Sequence, residues 1–298
     1  MQNLSPERLI RAILHTAAYA DVFDYPLTLS EIHRYLTGLA VPFESLEKVL
    51  KRELNLLSSV DGYFTLPGRE KIVTTRRRRA QIAARLWPQA LQYGLIISRL
   101  PFVRMVAVTG ALAVDNVEED ADIDYLIVTE PGRLWFCRAM ALLVGRFSAL
   151  RGITLCPNYI VTLRALTFPD QNEYAAHEMA QMIPIAGMDV YTRIRQQNAW
   201  VTRFLPNSEG PPSSIFSPAL PVYHTLTRPT LEKILSTRPF SRLERWEMDR
   251  KIRKLAYEQR ASLESSFSAD FCKGHDRSHQ AHTFDALNDR FEQLELNQ

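Results

Sequence analysis

Apolar side chains recur at helical spacing through residues 5–23, with Leu9, Ile10, Ile13, Leu14, Ala17 and Ala20 on one stripe behind a Ser5-Pro6 start. Pro26 stops that helix, Thr28 or Ser30 caps a short second one reaching Leu36, and Gly38 ends it. A third helix begins at Pro42-Phe43-Glu44, with Leu46, Val49, Leu50 and Leu54 as its buried stripe. The period then falls to two. Ser58-Ser59-Val60 and Tyr63-Phe64-Thr65-Leu66 flank Asp61-Gly62, a pair that favours a tight hairpin turn. Helical spacing returns over 69–98, where Ile72, Val73, Ile82, Ala83, Leu86, Ala90, Leu91 and Leu95 are apolar. Strand-like runs follow at 103–108, 123–128 and 153–163, with a helical stretch over 131–150 between the last two. The remainder is mainly helical, over 172–182, 190–204 and 229–263, interrupted by a Pro- and Ser-rich loop at 206–221.

This order predicts an α/β fold of the α+β kind. Residues 1–67, three helices and a hairpin, resemble the winged helix-turn-helix domains of bacterial regulators. Residues 68–100 form a linking helix, 101–205 a core with a small mixed sheet, and 206–298 the loop and a helical C-terminal region.

Composition narrows the picture little: the net charge of +3 does not by itself imply nucleic acid. Its distribution is more informative, with 14 basic and 9 acidic side chains in residues 1–100 against 8 and 11 in residues 101–200. Part of the basic excess is the run Arg76, Arg77, Arg78 and Arg79, which cannot all face a core; a solvated helix face is expected, with a phosphate-binding surface as the alternative. The longest apolar stretch, 134–150, is broken by Arg138 and Arg146, so no membrane span is expected. Cys137, Cys156 and Cys272 are an odd set, the first two in apolar surroundings, which suits a reduced cytoplasmic setting.

Candidate chemistry concentrates in residues 106–128. An apolar strand ends in Thr109-Gly110-Ala111, where glycine lets backbone N–H groups turn toward an anionic phosphate. Asp122 and Asp124 then alternate with Ile123, which puts both carboxylates on one face of a strand, roughly 6–7 Å apart along it. Two acids so close call for a counter-charge, and Mg²⁺ takes hard oxygen ligands of this kind.

A glycine turn followed about ten residues later by Asp-x-Asp on a strand resembles the nucleotidyltransferase superfamily related to DNA polymerase beta. The resemblance covers roughly residues 103–163. It implies that Thr109, Gly110 and Ala111 hold a nucleoside triphosphate such as ATP, and that Asp122 and Asp124 bind catalytic Mg²⁺ or Mn²⁺. Two positions depart from the pattern: Ala111 stands where Gly or Ser is usual, and residues 153–163 contain no acid where a third carboxylate is usual. Asn158 is the positional substitute as a metal ligand; its amide oxygen can coordinate, but it cannot act as a general base.

Two functions are therefore expected in competition. One is metal-dependent transfer of a nucleoside monophosphate from a triphosphate to a hydroxyl acceptor. The other is a non-catalytic, nucleotide-sensing regulator that binds DNA, or a protein partner, through the winged helix and its Lys48, Lys51 and Arg52. His177-Glu178 could reach the site as an acid–base pair, and Cys272, His275, His279 and His282 have a spacing that zinc could use, though a polar helix start accounts for it as well.

Overall fold

The computed structural model describes residues 5–53, 55–212, 227–258, 266–273 and 278–294, which form a mixed α/β protein with two sheets. The N-terminal unit runs α1 (Pro6–Asp21), β1 (Leu27–Thr28), α2 (Leu29–Arg34), α3 (Phe43–Arg52), β2 (Ser58–Val60) and β3 (Tyr63–Thr65). Local chemistry explains its turns. The Thr28 hydroxyl accepts from the Glu31 N–H while the Glu31 carboxylate accepts from the Thr28 N–H, a reciprocal cap that starts α2. Asp61 and Gly62 both take positive φ, 51° and 82°, which matches the twist of β2 and β3. β1 adds to β3 to give the antiparallel order β1-β3-β2; two residues long, it carries no alternation to read.

Leu9, Ile13, Ile32, Leu36 and Leu46 are buried in this unit, and Leu287 from α11 (Ser278–Gln293) joins them. The first and last described helices thus share one core.

α4 (Ile72–Ser98) leads to the larger sheet, and its arginines bind the loops on either side. Arg76 is buried, lies 3.6 Å from the centre of the Tyr25 ring and bonds Glu31, while burial pulls its pKa down to about 10. Arg77 pairs with Asp61, and Arg78 and Arg79 with Glu118. The solvated face expected for this run holds for Arg77 and Arg78, which are about half exposed, and not for Arg76 or Arg79.

The larger sheet comprises β4 (Val103–Val108), β5 (Ile123–Thr129), β6 (Leu155–Thr162), β7 (Ile183–Ala186), β8 (Ser266–Phe267) and β9 (Phe271–Lys273) in the order β7-β4-β5-β6-β9-β8. β5 and β6 are parallel, joined through α6 (Leu134–Ala149); the other pairings are antiparallel. The three strands legible in the sequence are therefore half of the sheet. β7 contains Pro184, which an edge strand tolerates because one of its two sides needs no ladder bonds.

Alternation along β5 sorts its side chains. Ile123, Tyr125 and Ile127 pack toward α4 and α6 with Trp87 and Trp135, each fully buried large side chain contributing roughly 1.5–3 kcal/mol. Leu126 and Val128 pack on the other face, under α7 (Glu173–Gln181) and α8 (Met188–Gln197). Farther along, α9 (Thr227–Leu235) and α10 (Arg238–Glu258) dock through carboxylates: Glu232 accepts from the Phe102 N–H, and Glu244 accepts from the N–H groups of Trp135 and Phe136 at the start of α6. Among the described residues, no helix is long and apolar enough to cross a membrane.

Candidate active site

β4 ends at Val108, and the chain turns through Thr109 into the single helical turn α5 (Gly110–Ala113). The Thr109 N–H donates to the Asp124 carbonyl at 3.1 Å, tying this turn to the start of β5. Gly110 has φ 65°, and a Cβ built on it would lie 2.7 Å from Asp124 Oδ2. Both the backbone conformation and the close approach require glycine here. Thr109 is buried beneath the turn, while Ala111 is exposed.

Asp124 points to the same sheet face as Leu126, at the end of the strand where that face opens. Asp122 precedes the strand and is exposed. The two carboxylates act together on Cys156: burial first, then Asp124, then Asp122, push the half-buried thiol up to about 12. Cys156 is thus set against a carboxylate rather than packed only among apolar neighbours.

Asn158 reaches the same place through an irregularity in β6. Asp124 aligns with Cys156, but Leu126 aligns with Tyr159, so β6 holds one more residue than β5 across this step. Pro157 lies in the bulge, where its lack of an N–H breaks no ladder bond. The Asn158 amide donates to Asp124 Oδ1 at 3.3 Å, while its own Oδ1 is buried and has no hydrogen-bond partner among the described residues. Asp124 and the amide oxygen of Asn158 are hard-oxygen groups of the kind that Mg²⁺ or Mn²⁺ accepts.

These groups open into a cavity of about 400 Å³. Its wall includes Thr109, Gly110, Ala111, Asp124 and Asn158 on one side; Asp122 lies outside it. The N-terminal unit supplies Tyr19, Phe23, Tyr25 and Tyr35, and α7 supplies His177 and Glu178. His177 is 5% exposed and stacks on Tyr19, with ring centres 3.9 Å apart and an interplanar angle of 10°. Burial lowers its pKa to about 4 against the opposing pull of Glu173, so the imidazole is neutral, and neither ring nitrogen has a partner among the described residues. Glu173 itself bonds His15 and Thr37, fastening α7 to the N-terminal unit.

Tyr19 escaped the sequence reading because an aromatic residue on an apolar helix face looks like core, and Tyr25 and Tyr35, which lie just outside the helices, carried no periodic signal; their hydroxyl groups were the one hint of a wet neighbour. The suggested zinc set is not assembled among the described residues: Cys272 is buried beside Ile160, His282 is exposed, and His275 and the His279 side chain lie outside the described residues. No group of three or more His, Cys, Asp or Glu side chains arranged to hold a metal occurs among the described residues. Cys137, Cys156 and Cys272 are free thiols. In comparisons with known proteins, no family model matches the chain, and no curated protein or solved structure matches it significantly.

Proposed function

We propose that the chain is a metal-dependent nucleotidyltransferase with the DNA polymerase beta-like core and an N-terminal winged helix, moving a nucleoside monophosphate from a triphosphate to a hydroxyl acceptor. The observation that carries this reading is the packing of Gly110 against Asp124. A turn stripped of its side chain beside a carboxylate leaves room for a phosphate tail and its cation. Asp124 and Asn158 Oδ1, with the exposed Asp122 just before the same strand, would hold Mg²⁺ or Mn²⁺. Such an ion supplies charge neutralisation at the transferring phosphoryl group.

In this reading the acceptor oxygen bonds to the α-phosphorus as the bond from that phosphorus to the bridging oxygen breaks, and pyrophosphate leaves with the electron pair. The hydroxyl proton passes to Glu178, the α7 carboxylate in the cavity wall, because Asn158 has no basic site. Incubating the chain with each nucleoside triphosphate and Mg²⁺ or Mn²⁺, while following pyrophosphate release and mass added to candidate acceptors, tests this directly. Pyrophosphate formed by the wild type and not by Asp124→Asn is the expected result.

A second reading, a nucleotide-sensing regulator without catalysis, is favoured by Asn158 in place of an acid and by the exposure of Lys48, Lys51 and Arg52 on α3. It requires DNA binding that weakens steeply with salt in an electrophoretic shift assay.

A further inference from the structure

α10 turns one side to the core and the other to solvent. Glu244, Met248 and Ile252 recur at helical spacing on the inner side, where the carboxylate holds the start of α6 and the two apolar side chains pack on the main core. The outer side is basic. Trp246 stands at its centre, 57% exposed, with Arg242 and Arg250 one turn away on either side and Arg253 two turns on. Arg238 and Arg245 run along the same flank, and all five arginines are exposed. Residues 238–254 hold seven basic and three acidic side chains, a net +4 against +3 for the whole chain, so the remainder sums to −1. Little of this charge is neutralised within the protein: Glu247 pairs with Arg250, Glu244 is turned inward, and Arg238, Arg242 and Arg245 have no carboxylate partner among the described residues. Burial first, then Arg250, and further Arg138 and Lys254, hold the Lys251 pKa below its ordinary value against the pull of Glu247.

A basic stripe alone would be no more than a solvated face. Here the charge is concentrated beyond that of the whole chain, and such a field attracts a polyanion. From Arg238 to Arg253 it extends about 22 Å at ~1.5 Å per residue, which spans several phosphates. The exposed indole adds a stacking platform among the arginines, and only an unpaired base offers its face to one. An anionic membrane fits less well, because a helix lying in lipid turns its apolar side outward, whereas Met248 and Ile252 of α10 are against the core.

We propose that the outer face of α10 binds single-stranded nucleic acid, with Arg238, Arg242, Arg245 and Arg253 on the phosphates and Trp246 stacked on a base. The nucleic-acid surface then belongs to the C-terminal region rather than to α3 of the N-terminal unit. It is independent of whether the cavity transfers nucleotides.

Fluorescence anisotropy of a labelled oligothymidylate, titrated with the full chain, tests this. Saturable binding is expected at about 50 mM salt, with log affinity falling against log salt at a slope of about −3, as four phosphate contacts on a single strand require. The double variant Arg242→Glu, Arg245→Glu is expected to bind roughly tenfold or more weakly. Should that variant not fold, the wild type decides. Trp87, Trp135 and Trp200 are buried and Trp246 is exposed, so the oligonucleotide is expected to quench the solvent-exposed part of the tryptophan emission, and Trp246→Phe to abolish that quenching. No saturable binding, unquenched emission, unchanged affinity in the folded double variant, or equal binding and quenching by a fully paired hairpin would overturn the proposal. So would a loss of binding in Lys48→Glu, Lys51→Glu with none in the α10 variant, which assigns the nucleic acid to the winged helix. Sedimentation with phosphatidylserine vesicles in the absence of oligonucleotide binding would also overturn it, and would make the face a membrane surface.

Discussion

Asp21 and Arg290 join the two ends of the described chain: Asp21 Oδ2 accepts from Arg290 Nε at 2.6 Å, while its other oxygen accepts from Arg69 Nε at 2.7 Å. The Asp21 side chain is 2% exposed, so both guanidinium groups serve to satisfy a buried charge. Arg290→Met is expected to lower stability by about 1–2 kcal/mol, with Arg69 preventing a larger loss. Urea unfolding measures it; an unchanged midpoint would mean that α11 is held by Leu287 and its apolar neighbours alone.

Gly110→Ala should damage the site twice over. It forces an L-residue into φ 65° and drives a methyl group into Asp124 Oδ2. The left-handed conformation alone costs roughly 1–2 kcal/mol, and the displaced carboxylate should weaken Mg²⁺-dependent ATP binding by about tenfold or more. Titration calorimetry beside chemical denaturation separates these effects, and intact metal-dependent affinity in the variant would disconnect the turn from the site.

Asn158→Asp replaces a donor to Asp124 with a second carboxylate at the same contact. Like charges at that separation repel, so the variant should be less stable than wild type in chelator and recover with added Mg²⁺. Thermal unfolding with and without Mg²⁺ reads the difference. Equal shifts in variant and wild type would show that residue 158 does not face the cation.

His177 should make the fold acid-sensitive. Its folded pKa, about 4, lies below the ordinary value of about 6.5, so between those limits the unfolded chain binds the extra proton. Stability from this group is therefore complete above about pH 6.5 and falls as pH drops toward 4, by a total of roughly 3 kcal/mol. Denaturant unfolding at pH values across that window, compared with His177→Phe, isolates the contribution; parallel pH profiles for the two proteins would assign the sensitivity elsewhere.

What the sequence determined by itself is what short-range rules govern. The Asp61-Gly62 turn, the Thr28 start of α2, and the alternation that sends Asp124 to one face and Ile123 to the other all follow from backbone conformation and the two-residue strand period. The spacing from Gly110 to Asp124 was legible for the same reason, because a turn and a strand start are local features. Tertiary structure decided the rest. Only the pairing of β6 with β5 shows that a bulge at Pro157 swings Asn158 onto Asp124, since a bulge is a mismatch between two strands and has no meaning in one. Only the docking of α1 on α7 stacks Tyr19 on His177 and strips both ring nitrogens of water. Arg76 looked solvated because charge favours the surface, yet the Tyr25 ring and Glu31, which sequence places about 50 residues away, make its burial tolerable. Contacts between distant segments depend on how faces close against each other, and a linear pattern reports which faces exist but not which ones meet.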